Sequence, residues 1–336
     1  MSASSAPLLE VEDLSVAFPV SQGLGFRRRL VHAVNEVSLR IEAGQTWGLV
    51  GESGSGKSTL GRAILNLEKP RSGRVRFDGR LITGGQAADV AMLRRQTAMI
   101  FQDPYSSLNP RQSIGDGIAE VLRVHGKAGG TGLTARVNEL LVLVGLSPEQ
   151  ATSRPHALSG GQCQRAAIAR ALAMEPRLIV ADECVAALDV SIQAQIINLL
   201  MDLRERMGLA LLFIAHDLSV VRRLCDQVAV MYLGRIVESG PARDIFDHPL
   251  HPYTAALVAA IPEIDPDMPL PGELLRGEPP SPVSVPEGCT FHPRCIQARP
   301  SCRQGPPPAL RRRGDRAFAC VLHEGDDGIH PVTKGA

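Results

Sequence analysis

Eight consecutive residues have the types and spacing needed to hold a polyphosphate. Gly51-Glu52-Ser53-Gly54-Ser55-Gly56-Lys57-Ser58 fits G-x-x-x-x-G-K-[ST] at every defined position. Glycines so placed let successive backbone N–H groups turn inward around phosphate oxygens, and a helix starting at the loop aims its N-terminus at the same charge. The pattern assigns the β- and γ-phosphates to Lys57 and a Mg²⁺ ion to the Ser58 hydroxyl, with Thr59 next along the helix. An incidental Gly/Ser loop is the competing reading, but such loops rarely fall between a buried strand and a helix. A second pattern supplies hydrolysis. Leu178-Ile179-Val180-Ala181-Asp182-Glu183 is a hydrophobic strand ending in two acids, where a ligand crevice outside strand C-termini is expected. Asp182 suits a supporting role toward Mg²⁺ and Glu183 the orientation or deprotonation of an attacking water. Paired acids after an apolar strand say little alone; beside the upstream loop they become the other half of an ATP site.

The elements around these residues are those the chemistry needs. Thr46–Val50 reads as a short buried strand leading into the loop, and Ser58–Leu67 carries a helical pattern. Upstream, Leu8–Val16 and Ala33–Ile41 have strand spacing. Gly73–Leu81 reads as β structure with a turn at Asp78-Gly79. Residues 104–175 read as mostly helical, broken by Pro110, Gly126–Gly132 and Pro155. Leu178–Ala181 and Leu211–Ala215 read as strands buried on both faces, followed by helices at Ile192–Met207 and Leu218–Cys225. Val228–Tyr232 and Arg235–Ser239 read as a hairpin around Leu233-Gly234. Thirteen of the 25 prolines then fall between Pro262 and Pro308, which excludes long helices there.

Leu158-Ser159-Gly160-Gly161-Gln162 resembles the signature sequence of ATP-binding cassette (ABC) ATPases. The resemblance implies that Ser159, Gly160, Gly161 and Gln162, at a helix start, grip the γ-phosphate of a nucleotide held by an opposing subunit, so that each active site is shared. Three more elements follow in the family's order. Gln102, in Phe101-Gln102-Asp103-Pro104, matches the glutamine that contacts Mg²⁺ and the lytic water, in the segment that meets membrane subunits. Ala187-Leu188-Asp189 matches the loop that crosses the dimer interface. His216 matches the histidine that contacts the γ-phosphate. Phe18 resembles the aromatic that stacks on adenine, with a core phenylalanine as the alternative. The fold implied is α/β: a RecA-like sheet with an N-terminal antiparallel β subdomain and a helical subdomain at about 104–175, all within residues 1–240. A small irregular Cys/Pro-rich C-terminal domain, residues 241–336, follows.

Within that family the chain is most similar to the ATP-binding subunits of oligopeptide and dipeptide importers. The segment from Phe101 to Arg111, His248-Pro249-Leu250-His251-Pro252-Tyr253-Thr254 and Gly288-Cys289-Thr290-Phe291-His292-Pro293-Arg294-Cys295 carry the likeness, and the Gly23–Leu30 insertion leans toward one of the two ATPase partners. Cys289, Cys295, Cys302 and Cys320 are spaced C-x5-C-x6-C-x17-C. Zinc prefers tighter pairs, whereas iron–sulfur clusters tolerate varied spacing. The resemblance also points to a 4Fe-4S cluster on these four; zinc and free thiols are the alternatives. Cys163 and Cys184 stand where the family usually has Arg or Lys and Pro, and Ala186-Ala187 replaces Ser-Ala. None of these changes removes a ligand to MgATP.

Composition sets the remaining bounds. Thirty-six basic and 35 acidic residues leave a net charge of +1, which gives no electrostatic reason to expect nucleic acid as a partner. No apolar run approaches the ~20 residues that span a bilayer. The start Met-Ser-Ala-Ser-Ser lacks a signal-peptide pattern, so the expected place is the cytoplasm. Arg27, Arg28 and Arg29 suit a solvated loop better than a lipid contact. The importer resemblance implies a peripheral position on the cytoplasmic face of the bacterial inner membrane. Its implied partners are two integral-membrane permease subunits, a second and homologous ATPase giving a heterodimer, and, indirectly, an extracytoplasmic solute-binding protein. Di- or oligopeptides are the expected cargo, with nickel chelates, glutathione-like compounds and sugars as alternatives. Soluble ABC ATPases of DNA or ribosomes carry a long coiled coil or two cassettes, and this chain has neither.

Overall fold

The computed structural model describes residues 6–21, 28–261 and 277–323. Residues 1–5, residues 23–27 of the Gly23–Leu30 insertion with Arg27, and Pro262, Pro266, Pro269 and Pro271 lie outside the described residues. Contacts divide the chain into two compact units.

The first is built from the residues up to Leu9, Ile41–Thr46 and Arg76–Ala215. At its centre are three parallel strands, Thr97–Ile100, Leu178–Asp182 and Ala210–Ala215. Thr97 stands opposite Leu178, and Leu178 opposite Ala210. Every residue of the last two is buried, as expected of strands covered on both faces. Helices Ile114–Val124, Gly132–Leu143 and Gly160–Leu172 pack on one another, in keeping with the helical reading of 104–175. The first is capped by the Ser113 side chain, which accepts from the Asp116 N–H, and buries Ile114, Ile118 and Leu122 at four-residue intervals. Helix Val190–Met207 ends at Gly208 in the left-handed region, φ 63°.

The second unit comprises Glu10–Arg40, Trp47–Val75 and the chain from His216 onward. Strands Leu9–Ser21 and Arg28–Ile41 lie side by side. Both outrun the stretches marked by alternation, because their ends carry the exposed Phe18, Val20 and Leu30. There the apolar rhythm lapses while backbone pairing continues. Thr46–Val50 runs parallel to Gln227–Tyr232, with Trp47 opposite Gln227 and Val50 opposite Val230. Leu233 and Gly234, φ 44° and 81°, then make the expected tight hairpin into Arg235–Pro241. The C-terminal region adds Arg316–Phe318 to Arg235–Pro241, and Arg311–Arg313 beyond it.

The iron–sulfur expectation is corrected here. Among the described residues, no group of three or more His, Cys, Asp or Glu is placed to hold a metal ion, and Cys289, Cys295, Cys302 and Cys320 are free thiols. Burial pushes the Cys289 thiol up, Cys295 up to about 11 and Cys320 up to about 12, so these sulfurs rest protonated at neutral pH. Contacts other than metal ligation hold the region. The Cys289 N–H donates to the Cys302 carbonyl at 2.9 Å. Arg316 pairs with Glu238 at 2.8 Å. Tyr232, Tyr253 and Phe291 pack ring to ring at 4.7–5.4 Å.

Candidate nucleotide-binding site

In the second unit, the parallel strand Thr46–Val50 delivers the chain to Gly51, and helix Lys57–Ile64 receives it after Gly56. The loop can bend this tightly because two glycines occupy positions closed to other residues. Gly51 (φ 149°) would drive a Cβ into the Met231 carbonyl, and Gly56 (φ 102°), the helix N-cap, would drive one into the Ala33 carbonyl. The Ser55 carbonyl accepts from the Gly234 N–H at 2.9 Å, tying the loop to the hairpin. Lys57 is buried. Its ammonium donates to the carbonyls of Gly51 at 2.8 Å and Glu52 at 2.9 Å, so its charge already lies within the loop. Ser53 and Gly54 form the exposed tip, Ser58 and Thr59 are half-buried on the helix, and the buried Ser55 hydroxyl has no hydrogen-bond partner. This arrangement fits a polyphosphate: a backbone cradle bent at two glycines, a lysine inside it and a hydroxyl at the helix start.

Also in this unit, His216 is exposed just ahead of helix Leu218–Leu224, whose N-cap Asp217 accepts from the Ser219 N–H at 2.8 Å. Phe18 is 36% exposed on its strand, which removes the reading of it as a core residue.

In the first unit, Asp182 and Glu183 close the strand Leu178–Asp182, and both are buried. The Glu183 N–H donates to Ile214 O at 2.9 Å, extending the ladder by one residue. Glu183 itself adopts φ 47°, a left-handed conformation costly for a residue with a Cβ. The neighbouring Cys184 is buried, and burial pushes its thiol up to about 12, so it stays protonated and unreactive at neutral pH. Gln102 is exposed between strand Thr97–Ile100 and the turn of helix Pro104–Ser107.

Ser159 caps helix Gly160–Leu172 through a reciprocal box. Its hydroxyl accepts from the Gln162 N–H at 3.3 Å, while its own N–H donates to Gln162 Oε1 at 2.9 Å. The hydroxyl proton stays available to an acceptor outside the helix. Ser159 is exposed, Gly160 half-buried, and Gly161 buried where a Cβ would press on Ile192 at 2.7 Å. Cys163 is buried one turn on, its thiol donating to Pro155 O at 3.3 Å. Asp189 is exposed at the N-cap of Val190–Met207.

The second unit thus carries Gly51–Thr59, Phe18 and His216, and the first carries Gln102, Ser159–Gln162, Asp182, Glu183 and Asp189. Sequence reasoning missed Tyr253 and Arg294, which both contact Glu52 of the loop. Each lies inside a segment already marked by the importer resemblance, and that was the only available signal.

Comparison with known proteins shows the family. Residues 34–186 match the ABC transporter family, and residues 237–302 match the oligopeptide/dipeptide transporter C-terminal region. The di/tripeptide transport ATP-binding protein DppF of Pseudomonas aeruginosa is 47% identical over 313 residues, 93% of this chain and 97% of that protein. The oligopeptide transport ATP-binding protein OppF of Salmonella typhimurium is 49% identical over 320 residues, 94% of this chain and 96% of that protein. Among solved structures, the dimeric ATP-binding cassette MJ0796, in a post-hydrolysis state with ADP and Pi, superposes with a TM-score of 0.62. It is 28% identical and covers 70% of this chain and 99% of its own.

Proposed function

Because the chain belongs to the ATP-binding proteins of oligopeptide and dipeptide ABC transporters, we propose that it binds MgATP on Gly51–Ser58 and hydrolyses it to drive import of di- or oligopeptides. The observation that carries this reading is Lys57, a buried ammonium held within a loop whose two strained positions only glycine can fill.

Lys57 takes the β- and γ-phosphates. Ser58, Asp182 and Gln102 would hold Mg²⁺, which would withdraw charge from the phosphate oxygens. Glu183 accepts a proton from the attacking water as the bond to the γ-phosphorus forms and ADP leaves, and Gln102 lies against that water. His216 contacts the γ-phosphate, and Phe18 stacks on adenine. Ser159, Gly160, Gly161, Gln162 and Asp189 serve the nucleotide of an opposing cassette. The exposure of Ser159 and Asp189 and the capped, dipole-bearing helix start support that role. The reaction rests on positioning and electrostatics.

Family membership brings permease subunits, pairing of ATPase subunits and peripheral association with the membrane. We assign the paired subunit to a homologous cassette and the site to the cytoplasmic face of a bacterial inner membrane. Two integral-membrane subunits there receive substrate from an extracytoplasmic binding protein. The exposed Phe101 and Tyr105 beside a groove lined by Ser106, Leu108, Asn109, Gln112 and Arg170 support docking at the Gln102 segment. Residues 1–240 form the nucleotide-binding domain, with its helical part at about 104–175, and residues 241–336 the C-terminal domain.

The test is Glu183→Gln. The variant should bind MgATP as the parent does, lose hydrolysis by about 100-fold or more, and accumulate as a closed pair of cassettes. Expressed with its partners, it should copurify two integral-membrane subunits. Normal turnover would remove Glu183 as the base.

A further inference from the structure

The C-terminal region returns to the phosphate loop at Glu52 and holds both ends of that residue. The Arg294 guanidinium donates in a fork, Nη1 to Oε2 at 2.6 Å and Nη2 to Oε1 at 2.9 Å. The Glu52 N–H donates to the Tyr253 hydroxyl at 2.9 Å. Neither partner is a casual surface contact. The Arg294 side chain is 5% exposed, and its guanidinium lies 6.0 Å over the Tyr232 ring. Tyr253 is fully buried, with its ring 4.7 Å from Tyr232 and 5.3 Å from Phe291. A rigid aromatic wedge therefore presents one guanidinium and one hydroxyl to the second residue of the loop.

The placement has an electrostatic consequence. A loop that surrounds triphosphate gains from every N–H and loses from every carboxylate near it. Glu52 puts a negative side chain into the loop, 25% exposed, one residue from the tip. The bidentate pair neutralises that charge and fixes its direction, while Tyr253 fixes the backbone it hangs from. The Glu52 carbonyl accepts from the Lys57 ammonium at 2.9 Å. A shift of Glu52 therefore displaces the lysine directly.

We infer that Arg294 is a positioning residue for nucleotide binding, through which the C-terminal region sets the charge and shape of the phosphate loop. The inference rests on the reading of Gly51–Ser58 as the ATP site and goes beyond it by making affinity depend on a residue that touches no nucleotide. Without Arg294, the Glu52 carboxylate faces the phosphates uncompensated. Replacing it with a carboxamide then relieves the repulsion, whereas a purely structural role for Arg294 predicts no such rescue.

The experiment measures the dissociation constant for MgATP, by competition with a fluorescent ATP analogue, in the full chain and in Arg294→Ala, Arg294→Lys, Glu52→Gln, the Arg294→Ala/Glu52→Gln double variant and Arg316→Ala. Thermal midpoints are recorded for each. Arg294→Ala should weaken binding roughly tenfold, with a deficit that shrinks as salt rises. Its turnover at saturating ATP should stay within about twofold of the parent. Arg294→Lys should fall between, because a point charge replaces the fork. The double variant should recover most of the lost affinity, and Arg316→Ala should bind MgATP as the parent does even where its midpoint falls. Parental affinity in Arg294→Ala, failure of Glu52→Gln to rescue it, or an equal loss in Arg316→Ala would each overturn the inference and leave the ATP site standing. Absence of MgATP binding in the parent chain would remove both.

Discussion

The phosphate loop and the C-terminal region are held by opposite means. The loop takes its shape from backbone: two glycines at φ 149° and 102°, and a lysine turned onto carbonyls five and six residues behind it. The C-terminal region depends on side chains that reach far along the chain, Arg294 to a partner 242 residues away and Arg316 to one 78 residues away. Local geometry allows a loop to stay open for a ligand. Long-range ion pairs let a proline-rich segment hold a defined place with little apolar core. The sharpest way to break this comparison is Arg316→Ala. Glu238 is fully buried, and its carboxylate would retain only the N–H groups of Leu250 and His251, each at 2.9 Å. Stranding a buried carboxylate costs about 3–5 kcal/mol, so chemical denaturation should show a loss of that size. A loss below about 1 kcal/mol, the range of an exposed pair, would mean that something else holds the region.

The same contrast explains what the sequence could show. Gly51–Ser58, Ser159–Gln162 and Asp182-Glu183 are each contiguous, because each sits at one local junction, a strand running into a loop and helix, a 3-10 turn running into a helix, and a strand end, and a local pattern can specify such a junction. The Glu183 φ of 47° was invisible, since no residue type marks it. The strands Leu9–Ser21 and Arg28–Ile41 were read short, because pairing outlasts burial. The four late cysteines misled for a related reason. Their spacing suggested a shared ligand, whereas the side chains that organise the region are Arg294, Arg316, Tyr253 and Phe291, whose partners lie far off in sequence. Nothing local to Arg294 points to Glu52.

A smaller effect tests how dry the C-terminal wedge is. His251 is buried against Phe291 at 5.7 Å, its Nδ1 accepts from the Tyr253 N–H at 3.1 Å, and its backbone N–H donates to Glu238. Burial, with His323 adding to it, lowers its pKa to about 3 from the usual 6.5. The unfolded chain takes up this proton near 6.5 and the folded chain does not until about 3. The stability contributed is therefore complete above pH 6.5 and is lost as pH falls toward 3, at up to about 1.4 kcal/mol per pH unit. His251→Asn keeps an acceptor for Tyr253 and removes the titration. Its stability should fall less steeply between pH 6.5 and 4.5 than that of the parent, and parallel curves would show that water reaches the ring.

The smallest expected effect is the most direct check on the region's support. If ion pairs and aromatic packing hold it, stripping metal from the nucleotide-free chain should change nothing. Metal binding that organises a small domain is folding free energy, so removing a structural ion or cluster destabilises what it organises. For a chain of this size a few kcal/mol corresponds to a fall of several degrees in the thermal midpoint. Incubation with EDTA and an iron chelator, in the absence of nucleotide, should therefore leave the midpoint unchanged and release no coloured iron complex. Cys302→Ser should behave similarly. Its thiol makes one weak contact, accepting from the Arg299 N–H at 3.4 Å, which a hydroxyl can also accept. A fall of several degrees in either experiment would return the C-terminal region to support by metal, and the contrast with the phosphate loop would then be one of ligand type.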